Sequence, residues 1–442
     1  MQSKWSLVTT VKAPDDLIER FIQHYLDMGA SKMYIFLDSP NEQLIHKKIN
    51  DERISFFFCD PEFWEKRQHF HSLRYKKGER SDFVEYRQYH NLLHASSICE
   101  TEWLLNVDID ELLFSMIDIN EELSRIPDNI FTVLVRPLEA VYLKEEPASL
   151  INTFDTKYFK SRRKVDYDFW NDIYPDKGLK HKSGFFGHVT GKSFIRTSDE
   201  IFRPSCHLPL PMNEFFSHGF IIHSMYILHF EAMTRDLFVQ KMVNRAGKVY
   251  NTPFLDEASK IRTKYLTDRY AEIGEESLHN AYLDMHVFDD EKMSKCLETG
   301  FVVKIDEKEH KSKRIINAHG DVMAYSVIDG IVKAVDESAI DDVYIIPIML
   351  HEKYDNSECY IYFLENGNSH FICSDRDGTP RKSKGRHAQI FRLIKDKNGI
   401  ISIRFEFKND DKKEPQFLTA NRSGSVSFSR PTIKDWEKFK VV

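Results

Sequence analysis

A stretch of apolar and acidic residues at 103–114, Trp-Leu-Leu-Asn-Val-Asp-Ile-Asp-Glu-Leu-Leu-Phe, constrains the fold and the chemistry of this chain most strongly. Its apolar start predicts a buried strand, and Asp108 and Asp110 follow two positions apart. Because alternate residues of an extended segment share a side, both carboxylates should emerge together with Glu111 at the end of that strand. Carboxylates grouped in this way suit a hard divalent cation that also holds substrate phosphates. The alternative is a strand that ends in a solvated acidic turn.

The residues before this stretch alternate between strand and helix patterns. Their periodicity predicts strands over 7–11, 33–37 and 54–59 and helices over 14–28 and 42–49. This order predicts an α/β domain with an open, mainly parallel sheet and flanking helices. Such sheets bind ligands beyond the carboxyl ends of their strands. Asp38, Asp108 and Asp110 all follow predicted strands, so we expect a single site at that edge.

Two further segments carry candidate residues toward the same edge. A helix predicted over 82–97 presents Arg87 and Gln88 to the acidic strand, or else forms a solvated face. A strand predicted over 130–135 leads into Arg136 and Glu139. A carboxylate just beyond a strand end suits a general base. An ion pair between Glu139 and Arg136 is the alternative.

Basic and histidine residues follow in the second half of this domain. Lys192 and Arg196 lie in a strand-like segment and suit binding to phosphates, while the glycine-containing residues around His188 suit contact with phosphate and acceptor. His207 is a second acceptor candidate. His229 lies at the end of a predicted strand that leads into a helix over 234–246, although a histidine in an apolar strand is often only a core residue.

These motifs resemble, in their order along the chain, glycosyltransferases of the family 2 and family 92-like branch. The acidic stretch is similar to that branch's metal-binding segment, roughly Trp-Leu-x-x-x-Asp-x-Asp-Glu-Phe. Val11-Lys12 with the following helix resembles its opening, and Tyr34–Asp38 resembles its second strand. Ile227-Leu-His-Phe, followed by Phe238 and Lys241, resembles its closing histidine motif. The resemblance covers about residues 5–245 and implies the nucleotide-diphospho-sugar transferase fold.

The resemblance also implies a set of ligands and roles. A Mn²⁺ or Mg²⁺ ion would be held by Asp108, Asp110 and His229, and Glu139 would be the catalytic base of an inverting reaction. The nucleotide-sugar donor, expected to be a UDP-sugar, would be bound by Thr10, Lys12, Asp38, Arg87, Gln88, Asp108, Lys192 and Arg196. His188 and His207 would bind the acceptor, a glycan or lipid-linked glycan of bacterial capsule or lipopolysaccharide synthesis.

The last part of the chain changes character. Residues 249–318 are charged and helical in pattern, which predicts a connector, whereas 319–442 are rich in short β segments and glycines. Phe371–Gly378 aligns with Phe417–Gly424 at an offset of 46 residues, which indicates a repeat architecture. The pattern resembles a β-trefoil of the fascin or lectin type. This predicts three parts, a catalytic domain over 1–248, the connector, and a β domain that binds glycan or serves only in packing or oligomerisation.

Composition limits the classes of function and the cellular locations that fit this chain. The net charge of −7 does not suggest a nucleic-acid partner, and no apolar run reaches the length of a membrane span. The six cysteines show no paired short spacing, which predicts reduced thiols in the cytoplasm. A cytoplasmic protein of this kind could associate peripherally with the inner face of the plasma membrane, and it could form a homo-oligomer. A non-catalytic carbohydrate-binding protein is the alternative function. A nucleotidyltransferase is disfavoured because the N-terminal loop lacks glycine.

Overall fold

The chain forms two compact units, Met1–Lys304 and Ile305–Val442. The computed structural model describes residues 4–39, 44–66, 80–115, 118–124, 126–162, 167–197, 201–246, 256–305, 313–340, 344–352, 358–365, 368–375, 377–383, 389–406 and 414–441. Residues 256–304, most of the predicted connector, fall within the first unit. The three predicted domains themselves stay a prediction.

The first unit contains strands and helices in alternation. Its strands are β1 (Trp5–Val11), β2 (Lys32–Leu37), β3 (Ile54–Phe58), β4 (Trp103–Asn106), β5 (Glu111–Ser115), β6 (Thr132–Leu143), β7 (Tyr158–Lys160), β8 (Lys192–Arg196), β9 (Phe202–Arg203), β10 (Leu210–Pro211), β11 (Phe220–His229), β12 (Val287–Phe288) and β13 (Val302–Lys304). Its helices are α1 (Asp15–Asp27), α2 (Pro61–Lys66), α3 (Val84–Ile98), α4 (Ile119–Ser124), α5 (Tyr167–Ile173), α6 (Arg235–Ala246), α7 (Glu257–Ile273), α8 (Glu275–His286) and α9 (Asp290–Glu298). Short 3₁₀ turns lie at Ile45–Lys47 and Asn152–Asp155. Among the described residues, no helix is both long enough and apolar enough to cross a membrane.

The large sheet of this unit is mixed, so the fold is α/β as predicted, but its sheet is parallel only in part. Strands β3, β2, β1 and β4 lie side by side and parallel, as the alternating sequence pattern indicates. Strand β8 then runs antiparallel to both β4 and β6, and β7 and β13 continue antiparallel. Strand β11 lies between β6, to which it is parallel, and β5, to which it is antiparallel. The prediction of a mainly parallel sheet is correct for the first four strands and for the pairing of β11 with β6, but β5, β7, β8 and β13 pair antiparallel.

Helix α1 shows how the layers pack around this sheet. Its residues Leu17, Phe21 and Tyr25 recur at helical spacing and are buried, which places one apolar stripe against the sheet. At the end of that stripe, the Tyr25 hydroxyl donates to the carbonyl of Glu111 at 3.0 Å and accepts from the amide of Leu113 at 3.1 Å. The helix therefore fixes the start of β5, at Glu111.

The second unit is an antiparallel β structure. Its strands are β14 (Lys313–Asn317), β15 (Val322–Ser326), β16 (Ile331–Val335), β17 (Ile345–Pro347), β18 (Met349–Glu352), β19 (Glu358–Glu365), β20 (Asn368–Ser374), β21 (Pro380–Lys382), β22 (Phe391–Lys395), β23 (Ile401–Phe405), β24 (Gln416–Ala420), β25 (Val426–Arg430) and β26 (Phe439–Val441), with 3₁₀ turns at Glu337–Ala339 and Asp435–Glu437. Six of these strands pair in a closed ring, in the order β14, β18, β19, β22, β23, β26 and back to β14. Three hairpins, β15–β16, β20–β21 and β24–β25, lie outside the ring.

The sequence repeat corresponds to the turns of these hairpins. Gly330, Gly378 and Gly424 each have positive φ, at +69°, +83° and +79°, a conformation that costs glycine little. In two of the turns, the glycine amide donates to the backbone carbonyl oxygen of the residue three positions earlier, Asp375 or Asn421. The offset of 46 residues thus marks equivalent hairpin turns.

Substitution of two turn glycines should have unequal effects: Gly378 lies in the β20–β21 turn, and Gly399 lies in the turn between β22 and β23. We expect Gly399→Ala, with φ +76° and nothing within 4 Å of the new Cβ, to cost about 1–2 kcal/mol for the left-handed backbone alone. Gly378→Ala should cost clearly more, because its Cβ would lie 2.3 Å from the carbonyl oxygen of Phe428. Calorimetric melting of the two variants and the wild type measures the difference. Equal losses would contradict the packing described for the β20–β21 turn.

Candidate functional site

Several residues predicted to bind the nucleotide-sugar lie at one edge of the sheet, at the carboxyl ends of β1, β2 and β4. Asp38, which follows β2, is 8% exposed and accepts two hydrogen bonds from Arg87 Nε, at 3.0 and 3.2 Å, and one from Nη2 at 2.8 Å. Arg80 donates to the same carboxylate at 3.1 Å. Asn91 of α3 donates to the Thr10 hydroxyl at 2.8 Å. Helix α3 therefore faces this edge, as the sequence predicts for Arg87 and Gln88, and Lys12 follows β1 in an exposed position.

The Asp108 carboxylate accepts hydrogen bonds from two side chains. Lys192 Nζ donates to its Oδ2 at 2.6 Å and Gln88 Nε2 donates to its Oδ1. Lys192 is 1% exposed and also lies 3.3 Å from Glu111 Oε2. Burial alone would lower the pKa of Lys192, but the two carboxylates raise it above its ordinary value. Lys192 is therefore a fixed positive charge beside the acidic residues, and Asp108 is less available to a metal than the sequence indicates.

A buried cluster beside this pair could hold a metal ion. Glu111, His188 and His229 each offer a ligand atom, and these atoms lie within 4.8 Å of one another. His188 Nε2 lies 2.6 Å from Glu111 Oε1, and the rings of His188 and His229 are 4.6 Å apart. Within the described part of the chain, His229 Nδ1 is buried with no hydrogen-bond partner. Because a buried polar atom without a partner is costly, an unbonded ring nitrogen in a cluster of donors fits a metal ligand.

Strand register explains why these residues meet. His229, at the end of β11, lies opposite Glu111 on β5 and opposite Glu139 on β6. Glu139 in turn lies opposite Lys160 on β7. Neighbouring residues in register share a face of the sheet, so four ionisable side chains form a row across four strands. We call Glu111, His229, Glu139 and Lys160 the charged row.

The electrostatics of the cluster favour neutral imidazole at His188. Burial lowers the pKa of His188 well below its ordinary value, and the neighbouring His229 and Lys192 lower it further. Burial raises the pKa of Asp110 to about 6, and the neighbouring Asp108 and Glu111 also raise it, although His229, 3.8 Å away, acts in the opposite direction. Burial likewise raises the pKa of Glu111. An arrangement of carboxylates that repel one another around a neutral imidazole would gain from a bound cation.

Glu139 is buried in an ion pair, but its partner is Lys160 and not Arg136. Its Oε1 accepts from Lys160 Nζ at 2.8 Å, and both side chains are fully buried. The amides of Phe186 and Gly187 donate to the same carboxylate at 2.7–3.1 Å. Burial alone would raise the pKa of Glu139, but Lys160 and His286 lower it to about 2. A carboxylate held in this way is a poor proton acceptor, which disfavours the predicted role of Glu139 as general base.

Two other predicted residues, Arg196 and His207, differ in their distance from the cluster. Arg196 is at the far end of β8 from Lys192, where its guanidinium stacks on Trp103 at 4.3 Å and pairs with Glu102. The structure does not bring it to the cluster. His207 lies beside the cluster, with its ring 4.4 Å from that of His188 and its Nδ1 2.9 Å from the carbonyl oxygen of Gly191.

Glu111, Lys160 and Gly187 are not among the site residues that the sequence predicts. The position of Glu111 directly after the two aspartates could have marked it as a site residue. In the structure it is the first residue of β5, and its side chain is fully buried. Gly187 precedes His188, and a Cβ at this position would lie 2.5 Å from His229 Cε1 and 3.1 Å from Glu139 Oε2. Lys160 stands in a basic run whose other members are typical of a solvated surface, and no pattern marks it as buried.

Comparison with known proteins adds little to this geometry. No protein-family description matches the chain, and no curated protein matches it. Among solved structures, GalNAc-T7 with UDP, GalNAc and Mn²⁺ is 8% identical, with 100% of this chain and 82% of that chain covered and a TM-score of 0.23. At this TM-score the likeness carries no argument about fold or function.

Metal addition should stabilise the protein through the cluster. At a free Mn²⁺ concentration of 100 times the dissociation constant, a single site adds about 2.7 kcal/mol to the free energy of unfolding. We expect this gain in the wild type, measured by thermal melting with and without Mn²⁺. It should disappear in His188→Ala and His229→Ala. The exposed His218 provides the control His218→Ala, which should keep the full gain. Undiminished stabilisation of both cluster variants would show that the metal binds elsewhere.

Proposed function

We propose that this chain is a metal-dependent glycosyltransferase that transfers a sugar from a nucleotide-diphosphate donor to a glycan acceptor. One observation carries the proposal: the buried cluster of Glu111, His188 and His229 stands at the sheet edge that also carries Asp38 and Asp108. In open α/β sheets, this edge is where ligands bind. The order of the sequence motifs supports the same function.

The residues present fit a divalent transition metal. Two imidazoles and a carboxylate, with Asp110 beside His229, suit Mn²⁺ better than Mg²⁺, which prefers oxygen ligands alone. Glu111, His188 and His229 would hold the ion, which would supply Lewis-acid stabilisation of the negative charge on the leaving diphosphate. Lys192, kept protonated by Asp108 and Glu111, would add a fixed positive charge at the same place.

The nucleoside part of the donor would lie toward Asp38 and helix α3. Arg87 holds the Asp38 carboxylate with three hydrogen bonds. Arg80 also pairs with Asp38, and its side chain is 43% exposed. Arg80 could therefore turn to a donor phosphate or base without leaving Asp38 unpaired. Thr10, fixed by Asn91, and Lys12 would border the same pocket.

The proton of the acceptor hydroxyl would pass to a carboxylate that solvent reaches. Asp110 and Glu231 flank His229 Nε2 at 3.8 and 3.5 Å, and their side chains are 25% and 20% exposed. Glu231 also forms an ion pair with Lys241 at 2.9 Å, so its carboxylate is held more tightly than that of Asp110. Asp110 also borders the metal cluster, which places its carboxylate where an acceptor hydroxyl would approach. Asp110 is thus our candidate for either role, metal ligand or proton acceptor.

The second unit is, on this proposal, a β-trefoil that binds glycan. Its closed ring of six strands and three outer hairpins support the β-trefoil assignment. Inversion at the anomeric carbon, UDP as the nucleotide, a role in bacterial surface polysaccharide and a cytoplasmic location with peripheral membrane association stay predictions from the sequence. Binding of glycan by the second unit without donor turnover would instead favour the non-catalytic alternative.

Donor turnover tests the proposal directly. With Mn²⁺ and a panel of nucleotide-sugars, we expect the wild type to hydrolyse at least one donor and Asp110→Asn to lose at least about 100-fold of that rate, the usual worth of a positioned acid–base group. Melting temperatures should stay within a few degrees, because this partly exposed carboxylate supports little packing. Asp128 is exposed and precedes the start of β6, at the end of that strand away from the site. Asp128→Asn is therefore the control and should keep full activity. Full activity in excess chelator would refute the metal-dependent function.

A further inference from the structure

The segment that carries His188 is held from two sides by buried charges. On one side, the Glu139 carboxylate accepts from the amides of Phe186 and Gly187 at distances down to 2.7 Å. On the other side, Arg262 of α7, which is 7% exposed, donates to the carbonyl oxygens of Phe186 and Lys180. The peptide groups immediately before His188 therefore have their donors and an acceptor fixed by ionised side chains.

The charged partners of this segment are themselves fixed. Lys160 Nζ, fully buried, donates to Glu139 at 2.8 Å and to the carbonyl oxygen of Met285, at the end of α8, at 3.1 Å. The Arg262 guanidinium also lies over the Phe186 ring, 5.4 Å from its centroid. Hydrogen bonds with a charged donor or acceptor are stronger than neutral ones, and here they act away from water.

The space around Gly187 shows how little freedom the segment has. A Cβ there would lie 2.8 Å from His229 Nδ1 as well as 3.1 Å from Glu139 Oε2. The backbone thus passes between a candidate metal ligand and the carboxylate that anchors it. One residue later, His188 Nε2 reaches 2.6 Å from Glu111 Oε1. A small shift of this peptide would separate the two imidazoles of the cluster.

We propose that Glu139, Lys160 and Arg262 form a clamp that positions His188, so that helices α7 and α8 help to build the metal centre. The three residues are positioning residues and contact no substrate. The proposal rests on the proposed function, since it concerns the same metal centre, and it gives Glu139 a role other than that of a base. Residues that orient metal ligands typically contribute a 10–100-fold factor in metal affinity.

Arg262→Gln is the most direct test, because it leaves the buried pair of Glu139 and Lys160 intact. Co²⁺ alone is the probe, and its visible absorption reports imidazole ligation independently of activity. We expect about 10–100-fold weaker Co²⁺ binding and an altered spectrum for Arg262→Gln. Arg262→Lys should recover only part of this loss, because an ammonium lacks the planar fork that reaches both carbonyls. Arg269→Gln, which removes a surface arginine from the same helix, is the matched control and should bind Co²⁺ as the wild type does.

A second variant covers the case in which Arg262→Gln does not fold. The double variant Glu139→Gln with Lys160→Met removes both buried charges at once, which avoids the large cost of leaving one unpaired. It should also bind Co²⁺ about 10–100-fold more weakly. Glu122→Gln, at another buried carboxylate that accepts from Ser224, controls for a general loss of stability.

The outcomes separate this inference from the proposed function. Folded clamp variants that bind Co²⁺ within twofold of the wild type overturn the clamp and leave the metal centre standing. A wild type that binds no Co²⁺ overturns the metal centre and the clamp with it. A loss of affinity in Glu122→Gln equal to that in the clamp variants would show that any loss of stability weakens the cluster, which also overturns the clamp.

Discussion

The first unit depends on the charged row that crosses strands β5, β11, β6 and β7. Glu111, His229, Glu139 and Lys160 lie in register, buried, with acidic and basic groups in alternation. An isolated buried charge is very costly, so each member of such a row is tolerated because its neighbour compensates it. The row ends at Glu111, where Lys192 of β8 supplies the compensating charge and His188 Nε2 lies 2.6 Å from the carboxylate. The candidate metal cluster therefore lies at one end of a structural row of ion pairs.

The position of a carboxylate relative to this row determines the direction in which its pKa is shifted. Glu139 lies inside the row, with Lys160 and two backbone amides occupying its oxygens, and its pKa falls to about 2. Asp110 lies outside the row, where burial and the neighbouring Asp108 and Glu111 raise its pKa to about 6. Two acidic residues near one histidine thus receive opposite properties from their surroundings, which is the usual way in which sites separate structural from chemical roles.

The sequence predicts the parallel half of the sheet and the residues at its edge, because apolar runs and following aspartates are local signals. It fails for Glu139 because Arg136 and Pro137 interrupt the apolar run and suggest a strand end at 135. In the structure, β6 continues to Leu143, and Pro137 is accommodated opposite Ile227 next to a register shift between Ile222 and Tyr226. Glu139 is then a mid-strand residue whose partner, Lys160, is set by a pairing between segments about twenty residues apart. Strand direction and register of this kind are tertiary properties that no local pattern records.

Arg196 and Lys192 illustrate the same limit at shorter range. Four residues apart on β8, they share a face of the strand, so the sequence treats them as equivalent cations. A strand rises about 3.3 Å per residue, which separates them by roughly 13 Å, more than one phosphate site spans. Register with β4 then decides the outcome, since Ser193 lies opposite Asn106 near the acidic edge and Arg196 lies opposite Trp103 at the other end. Face and position along the strand are separate requirements for a functional residue, and the alternation of a sequence specifies only the face.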